Sequence, residues 1–229
     1  MLHRSCLAAA YLCLACSPLA AQGAAASASE PTVAPTPAPG WGAWGGIARN
    51  SPDNIWGAES GRDIELIALR LTWPLARSRR VALDYILDAV PAARVSMVRD
   101  DTDPPWCRDA KPGEPCVTSP VVSDTRPVLG FGIAPVGIQV RHRSGARVQS
   151  YANLSGGMLR FAREMPMDGA ARVNYTAELG AGVLIGRPGK LGVAVGYKFY
   201  HISNGGTAMH NPGIDNHMVV VGVQQILRF

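Results

Sequence analysis

Hydrophobic and polar residues alternate along much of the chain that follows residue 40. In the segment 219–229 the odd positions are mostly apolar, whereas the even positions include Gly222, Gln224 and Arg228. The segment 191–200 repeats this pattern, with apolar residues at the odd positions and mostly small or polar residues at the even positions. Because successive side chains point to opposite faces of a β-strand, the alternation predicts strands with one apolar face and one small or polar face.

The pattern predicts eight strands, and no helical periodicity persists beyond a turn or two. The predicted strands are Trp41–Arg49, Asp63–Trp73, Arg80–Val90, Val128–Arg143, Val148–Phe161, Arg172–Ile185, Leu191–Ile202 and Asn216–Phe229. Some connections are short, such as 144–146 and 186–189, whereas others are long, above all 99–126. Long strands joined by short turns at one end and long loops at the other are typical of outer-membrane barrels, since the strands of soluble sandwiches are shorter.

The alternation alone does not say which face points outwards, because the apolar face lies inside a soluble barrel and outside a membrane barrel. Two observations favour the membrane. The small residues opposite the apolar face suit a narrow interior, and the chain ends in a strand that closes on Phe229, as in bacterial outer-membrane proteins. We therefore predict an all-β fold, an eight-stranded antiparallel transmembrane β-barrel, with a soluble periplasmic lipid-binding barrel as the alternative. Aromatic residues near the strand ends are candidates for interfacial girdles: Trp41, Trp44, Trp73, Tyr151, Tyr175 and Tyr200.

Composition divides the chain into three parts. Residues 1–26 are predicted to be a secretory signal peptide, because a short basic start is followed by an apolar run and then small residues. The run is too short for a transmembrane helix, which needs roughly 20 residues. Residues 27–40 are predicted to be an Ala/Ser/Pro-rich linker and residues 41–229 the barrel. An N-terminal helix of the mature fold and, through Cys16, a lipoprotein are the alternatives for the first part.

Two cysteines remain after the signal region, Cys107 and Cys116, within the long 99–126 connection. Outside the cytoplasm we expect them to form a disulfide; a zinc pair is the weaker alternative because no histidine lies nearby. The formal charge of +5 is modest. No basic residues interleave with aromatics as in a nucleic-acid surface, so a nucleic-acid partner is not indicated.

The connection between the last two predicted strands carries residues suited to ester hydrolysis. His201 and Ser203 are two positions apart, so their side chains leave one face, and a hairpin returns Asp215 to a cross-strand position. An oxygen nucleophile, an imidazole and a carboxylate are the groups that such a reaction uses. All three continue the apolar faces, so we expect them to face lipid at the end of the barrel. The alternative is an ordinary hairpin loop, since Ser-Asn-Gly-Gly and Asn-Pro-Gly are common turn sequences.

The motif His201-x-Ser203-Asn204, followed by Gly206, Asn211 and an acidic residue twelve positions after the serine, resembles the PagL-type lipid A 3-O-deacylase family, also called acyloxyacyl hydrolase-like. The segments 130–135 and 174–182 add to the resemblance, which covers 127–229. It implies an eight-stranded barrel in the outer membrane that cleaves the acyl chain ester-linked at the 3-position of lipid A, the lipid anchor of lipopolysaccharide.

The resemblance implies roles for individual residues. Ser203 would be the nucleophile, His201 the general base and Asp215 the orienting acid. The candidates for the oxyanion environment are Asn204, Gly206 and Asn211. No metal or cofactor is implied. The best-known members carry Glu in place of Asp215, so the reach of this shorter acid to His201 depends on the hairpin, and His210 and His217 are further imidazoles nearby. A phospholipase or carboxylesterase on the same barrel and a non-enzymatic structural barrel remain the alternatives.

Overall fold

The computed structural model of the chain describes residues 38–52, 55–97, 126–167 and 169–227. Each strand pairs antiparallel with its neighbours in sequence, and pairing of the first with the last closes the barrel. The strands are β1 (Gly40–Ala48), β2 (Arg62–Arg77), β3 (Val81–Met97), β4 (Val128–His142), β5 (Val148–Phe161), β6 (Val173–Ile185), β7 (Leu191–Ser203) and β8 (Ile214–Gln225). The connections 78–80, 143–147 and 186–190 lie at one end of the barrel, here called the short-turn end; the strand ends that border the longer connections lie at the other, the long-loop end.

The outer wall of the barrel is apolar and its lumen contains charged side chains. Exposed residues on the wall include Leu69, Leu71, Phe131, Ile138, Leu154, Leu179, Val195 and Val221. Buried residues inside include Arg70, Asp84, Asp88, Arg141, Glu178 and Lys198. A soluble barrel has the opposite polarity, whereas an outer-membrane barrel has this one. The predicted fold class, an eight-stranded antiparallel transmembrane β-barrel, is confirmed.

The charged side chains of the lumen are paired with one another. The pairs are Arg70–Asp88, Arg141–Asp84 and Lys198–Glu178. Nζ of Lys198 also lies 3.8 Å from the ring centroid of Trp44. A buried charge without a partner loses its hydration and gains nothing in return, so this pairing is what lets a narrow lumen hold ionised groups.

Towards the long-loop end, the lumen is filled by apolar side chains. This buried layer includes Ile64, Leu66, Val95, Leu159, Phe161, Ile202, Ile214 and Met218. It lies behind the last residues of β7 and the first residues of β8, so the outward-facing side chains at those positions are carried by backbone that is packed from within.

Two strands extend further than predicted. The prediction ended β2 at Trp73 and β3 at Val90. Each is followed by a proline, which has no amide hydrogen for the ladder. The structure continues both strands through Pro74 and Pro91. The pairing of β2 with β3 shifts register next to Pro74, and that of β3 with β4 shifts after Val90. These irregularities accommodate prolines within a strand.

Three of the six aromatic residues predicted for the girdles point elsewhere. Trp44 and Tyr200 are buried inside the barrel, and the Tyr151 hydroxyl lies close to Gly182 and Gly196, whose missing side chains leave room for it. The even positions of β1 and β7 face the lumen, which explains the first two. Trp41 and Tyr175 are exposed on the outer wall.

Several predictions fall on residues outside the described ranges. These are the signal peptide and most of the linker, the Cys107–Cys116 disulfide and the terminal Phe229. β8 begins at Ile214, two residues before its predicted start, and ends at Gln225. The next residue, Ile226, is buried and its amide donates to the carbonyl of Lys190 at 2.9 Å. No helix in the described ranges is long and apolar enough to cross a membrane.

Candidate active site

At the long-loop end, β7 and β8 bring His201 and Asp215 together. The two residues are direct partners in the β7–β8 register. Nδ1 of His201 lies 2.6 Å from Oδ1 of Asp215, so the shorter acid does reach the imidazole. The histidine side chain is 13% exposed and the aspartate 0%. A carboxylate on Nδ1 fixes the tautomer and leaves Nε2 as the basic nitrogen.

The connection between β1 and β2 covers Asp215. The backbone amides of Trp56 and Gly57 donate to Oδ2 at 2.7 and 3.0 Å. The amide of Glu59 donates to the carbonyl of Gly213 at 3.1 Å, which aligns this segment with the start of β8. The prediction that Asp215 faces lipid is therefore wrong. Its position belongs to the outward face, but the loop shields the carboxylate and supplies two of its hydrogen bonds.

Two glycines permit this close packing. A Cβ atom at Gly57 would lie 2.7 Å from the backbone nitrogen of Asp215. Gly213 has φ of +65°, and a Cβ atom there would lie 3.1 Å from Cε1 of His201. The first position needs glycine for space and the second for both space and backbone conformation. Sequence reasoning missed Trp56 and Gly57, since nothing local links them to an acid that lies 159 and 158 residues further along the chain.

The indole of Trp56 forms an apolar wall beside the imidazole. Its ring meets that of His201 nearly edge-on, with centroids 5.6 Å apart and planes at 85°. It packs in the same way against Phe199, at 5.5 Å and 75°. Since Trp56 is itself largely exposed, it extends the apolar outer wall up to the catalytic candidates and limits the orientations of the His201 ring.

Ser203 follows His201 by two residues on the same outward face of β7 and is partly exposed. Its partner in the next strand is Tyr175. Within the described ranges, neither the serine hydroxyl nor Nε2 of His201 makes a hydrogen bond. Alternate residues of a strand are roughly 6.5 Å apart, so the two groups are neighbours without yet being bonded. Such bonds are often long in sites that hold no substrate.

The three predicted oxyanion residues form a hydrogen-bonded loop centred on the buried Asn204. Its backbone amide donates to Oδ1 of Asn211 at 2.8 Å, and its Oδ1 accepts from the amide of Gly206 at 2.9 Å. Its Nδ2 donates to the carbonyl of His210 at 2.6 Å. The Gly206 amide is thus used inside the loop. Asn211 is exposed, and its Nδ2 has no acceptor in the described part of the chain, so it is the accessible amide donor of the set.

The two further histidines make other contacts in the described structure. His217 is two residues below Asp215 on the outer wall, where its Nδ1 shares a hydrogen bond with the hydroxyl of Tyr197. Its ring also packs against that of Phe199. The backbone amide of His210 donates to the carbonyl of Gly169 at 3.2 Å. His201 is therefore the imidazole that the described structure pairs with an acid.

Comparisons with known proteins identify a family and a similar fold. The family model described as lipid A 3-O-deacylase (PagL) matches residues 111–224, a range that contains His201, Ser203 and Asp215. The crystal structure of the outer membrane enzyme PagL is similar with a TM-score of 0.54 and 13% identity, over 82% of this chain and 99% of that chain. Neisserial surface protein A (NspA) is similar with a TM-score of 0.46 and 10% identity, over 82% of this chain and 97% of that one. No curated protein matches the chain.

Proposed function

We propose that this chain, which belongs to the PagL family, is an outer-membrane serine esterase that removes the 3-position ester-linked acyl chain from lipid A. The observation that carries the proposal is the His201–Asp215 pair. It lies on the outside of a barrel with an apolar wall, next to a serine whose hydroxyl makes no hydrogen bond with the described residues. A water-soluble ester would not accumulate at an apolar wall, whereas a lipid in the surrounding membrane leaflet lies directly against it.

The groups present account for each proton in the reaction. Nε2 of His201 takes the proton of Ser203 as Oγ attacks the ester carbonyl, and Asp215 stabilises the imidazolium that forms. The tetrahedral intermediate collapses when His201 returns the proton to the departing sugar oxygen, which leaves the acyl group on Ser203. Water, deprotonated by His201, then releases the fatty acid and regenerates the serine.

The oxyanion of the tetrahedral intermediate needs a donor, and Asn211 supplies the best candidate. Its Oδ1 accepts from the amide of Asn204, the residue directly after Ser203. That bond holds the Asn211 side chain close to the nucleophile, with Nδ2 accessible. A fixed amide donor stabilises developing negative charge without reorganising during the reaction.

The position of the site suits lipid A as substrate. In outer-membrane barrels the long loops face the cell exterior, the side of the membrane on which lipopolysaccharide lies. Ser203 and His201 are at that end, where the ester bonds of a lipid meet its headgroup. Below them, the wall continues through Phe199 and Val195, against which acyl chains can pack.

The experiment that tests this proposal is mass spectrometry of lipid A from cells expressing the wild type, Ser203→Ala or Ser150→Ala. Ser150 is an exposed serine near the short-turn end of β5 and serves as the matched control. We expect the mass of one 3-hydroxyacyl chain to be lost with the wild type and Ser150→Ala, but not with Ser203→Ala. Unchanged lipid A together with accumulating lysophospholipid would instead identify a phospholipase. If neither lipid changes while the protein is in the outer membrane, the esterase proposal is wrong.

A further inference from the structure

Most arginines on the β1–β3 side of the long-loop end are neutralised by acids. Arg49 donates to Asp63 at 2.9 Å and to Glu65 at 2.7 Å. Arg94 donates to Glu65 at 3.0 Å. The two cations and two anions of this group, all described residues, therefore balance one another.

The β5–β6 side of the same end is different. Arg160 and Arg172 are exposed there, and neither makes a hydrogen bond through its side chain or an ion pair with the described residues. Within the described ranges the acid closest in sequence to Arg160, Glu164, accepts the backbone amide of Gly169 at 2.8 Å. Among the described residues, this side of the long-loop end therefore carries two cations that no acid contacts.

Arg160 stands out because its surroundings are apolar. It lies on the outward face of β5, with Phe131 and Val173 as its partners in the adjacent strands. Met158, two residues below it on the same face, is also exposed. A guanidinium group at the upper edge of an apolar membrane-facing wall lies where the anionic groups of lipid headgroups are found.

The register places this cation near the nucleophile. Ser203 pairs with Tyr175, Tyr175 pairs with Met158, and Arg160 follows Met158 by two residues. Two steps of about 5 Å between strands and two residues along β5 separate the Cα atoms of Ser203 and Arg160 by roughly 12 Å. An arginine side chain and a phosphorylated sugar ring together can span that gap.

We propose that Arg160, assisted by Arg172, binds the phosphate of the acylated sugar headgroup and so positions the scissile ester at Ser203. The inference rests on the proposed function. Guanidinium groups bind phosphate through two parallel charge-assisted hydrogen bonds, which fix orientation as well as position. Arg160 is a positioning residue, since it does not touch the ester that reacts.

The test uses the full chain in detergent micelles with two substrates, a 2,3-diacylglucosamine 1-phosphate and the same lipid without phosphate. The ratio of their kcat/KM values is measured for the wild type, Arg160→Gln, Arg160→Lys and Arg172→Gln. Arg187→Gln, in the exposed turn at the opposite end of the barrel, is the control for loss of one positive charge.

We expect the wild type and Arg187→Gln to prefer the phosphorylated lipid. Arg160→Gln should lower kcat/KM for that lipid about tenfold, mainly through KM, because one charge-assisted contact is lost. Arg160→Lys should recover part of the preference, since lysine binds phosphate as a point charge. A wild type without preference, or an Arg160→Gln variant that keeps it, would overturn the inference.

A binding measurement separates this inference from the proposed reaction. Binding of both lipids to the Ser203→Ala protein, with and without Arg160→Gln, needs no turnover. If binding depends on the phosphate and Arg160→Gln removes that dependence, the phosphate site is supported. This holds even if the wild type hydrolyses neither lipid, a result that would by itself defeat the proposed function. Equal binding of the two lipids would overturn the site. Inorganic phosphate that competes at the same concentration as the lipid would overturn the assignment to a headgroup in favour of free phosphate.

Discussion

Two acid–base pairs on β7 face opposite sides of the barrel wall. Lys198 points into the lumen and pairs with Glu178, and both side chains are almost fully buried. His201, three residues further on, points outwards and pairs with Asp215. Both pairs compensate the cost of burying a carboxylate. In the lumen, Lys198 and Glu178 neutralise each other, and the ammonium group of Lys198 also contacts the ring of Trp44.

The outer pair differs in what it leaves available. The carboxylate of Asp215 is saturated by His201 and by two loop amides. Nε2 of His201 makes no hydrogen bond with the described residues, and the histidine side chain, two positions from Ser203, is 13% exposed. A buried acid–base pair is structural when its groups serve only each other, and becomes a candidate for chemistry when one partner keeps a basic atom next to a nucleophile.

The largest effect should follow from removing the nucleophile or the base. We expect Ser203→Ala and His201→Ala each to lower turnover by roughly 10⁴-fold or more, because both take part directly in bond formation. The measurement is hydrolysis of lipid A in micelles, with heat-modifiable gel migration to show that the barrel is folded. Full activity in either variant would end the analogy with a serine esterase.

Loss of the outer acid should cost less. Asp215→Ala removes the group that orients His201 but leaves the nucleophile and base, so we expect a residual rate, lowered by about 10³-fold. The same hydrolysis assay measures it. If the rate of Asp215→Ala were as low as that of Ser203→Ala, His201 and Ser203 would not be able to react without the acid.

Disruption of the lumen pair should change stability and leave the chemistry intact. Glu178→Gln leaves Lys198 buried without its anion, which we expect to cost about 3–5 kcal/mol of unfolding free energy. The double variant Glu178→Gln/Lys198→Met should recover most of that loss. Denaturant unfolding of the refolded barrel measures both. If Glu178→Gln instead lowered the rate per folded molecule as much as Asp215→Ala does, the proposed contrast between the two pairs would be wrong.

The smallest effect tests the loop that covers the outer pair. A methyl group at Gly57 collides with the backbone of β8, so Gly57→Ala should move the loop away from Asp215 and lower turnover about tenfold through the loss of a charge-assisted hydrogen bond. Gly45→Ala is the matched control, since a Cβ atom there meets nothing closer than 3.7 Å. Unchanged turnover in Gly57→Ala would show that the loop amides do not contribute to the site.

The parts of this molecule that sequence predicts are those fixed by local spacing. Alternation along β7 and β8 predicted the apolar outer wall, and the hairpin between them predicted that His201 and Asp215 would meet. The even parity of Trp44 and Tyr200 already placed them in the lumen, so assigning them to a girdle overlooked information that the sequence contained. The extension of β2 and β3 through prolines could not be predicted from the sequence, because a register shift depends on the pairing with the neighbouring strand.

The loop that covers Asp215 could not be predicted from the sequence, for a different reason. It joins a loop after β1 to the start of the last strand, and barrel closure alone brings the two together. The hydrogen bonds of Asn204 and Gly206 could not be predicted either. Both residues were expected to contribute to the oxyanion environment. Their use within the loop depends on the path of the chain to Asn211, which residue types do not specify.

The most direct test of the central claim is peptide-resolved mass spectrometry of the folded protein after reaction with a fluorophosphonate that carries an acyl chain. The reagent bonds covalently to a serine only when a neighbouring base activates it. We predict an adduct on Ser203 in the wild type, and none in His201→Ala. An adduct on a different residue, or equal labelling of Ser203 in both proteins, would contradict the claim that the His201–Asp215 pair activates this serine.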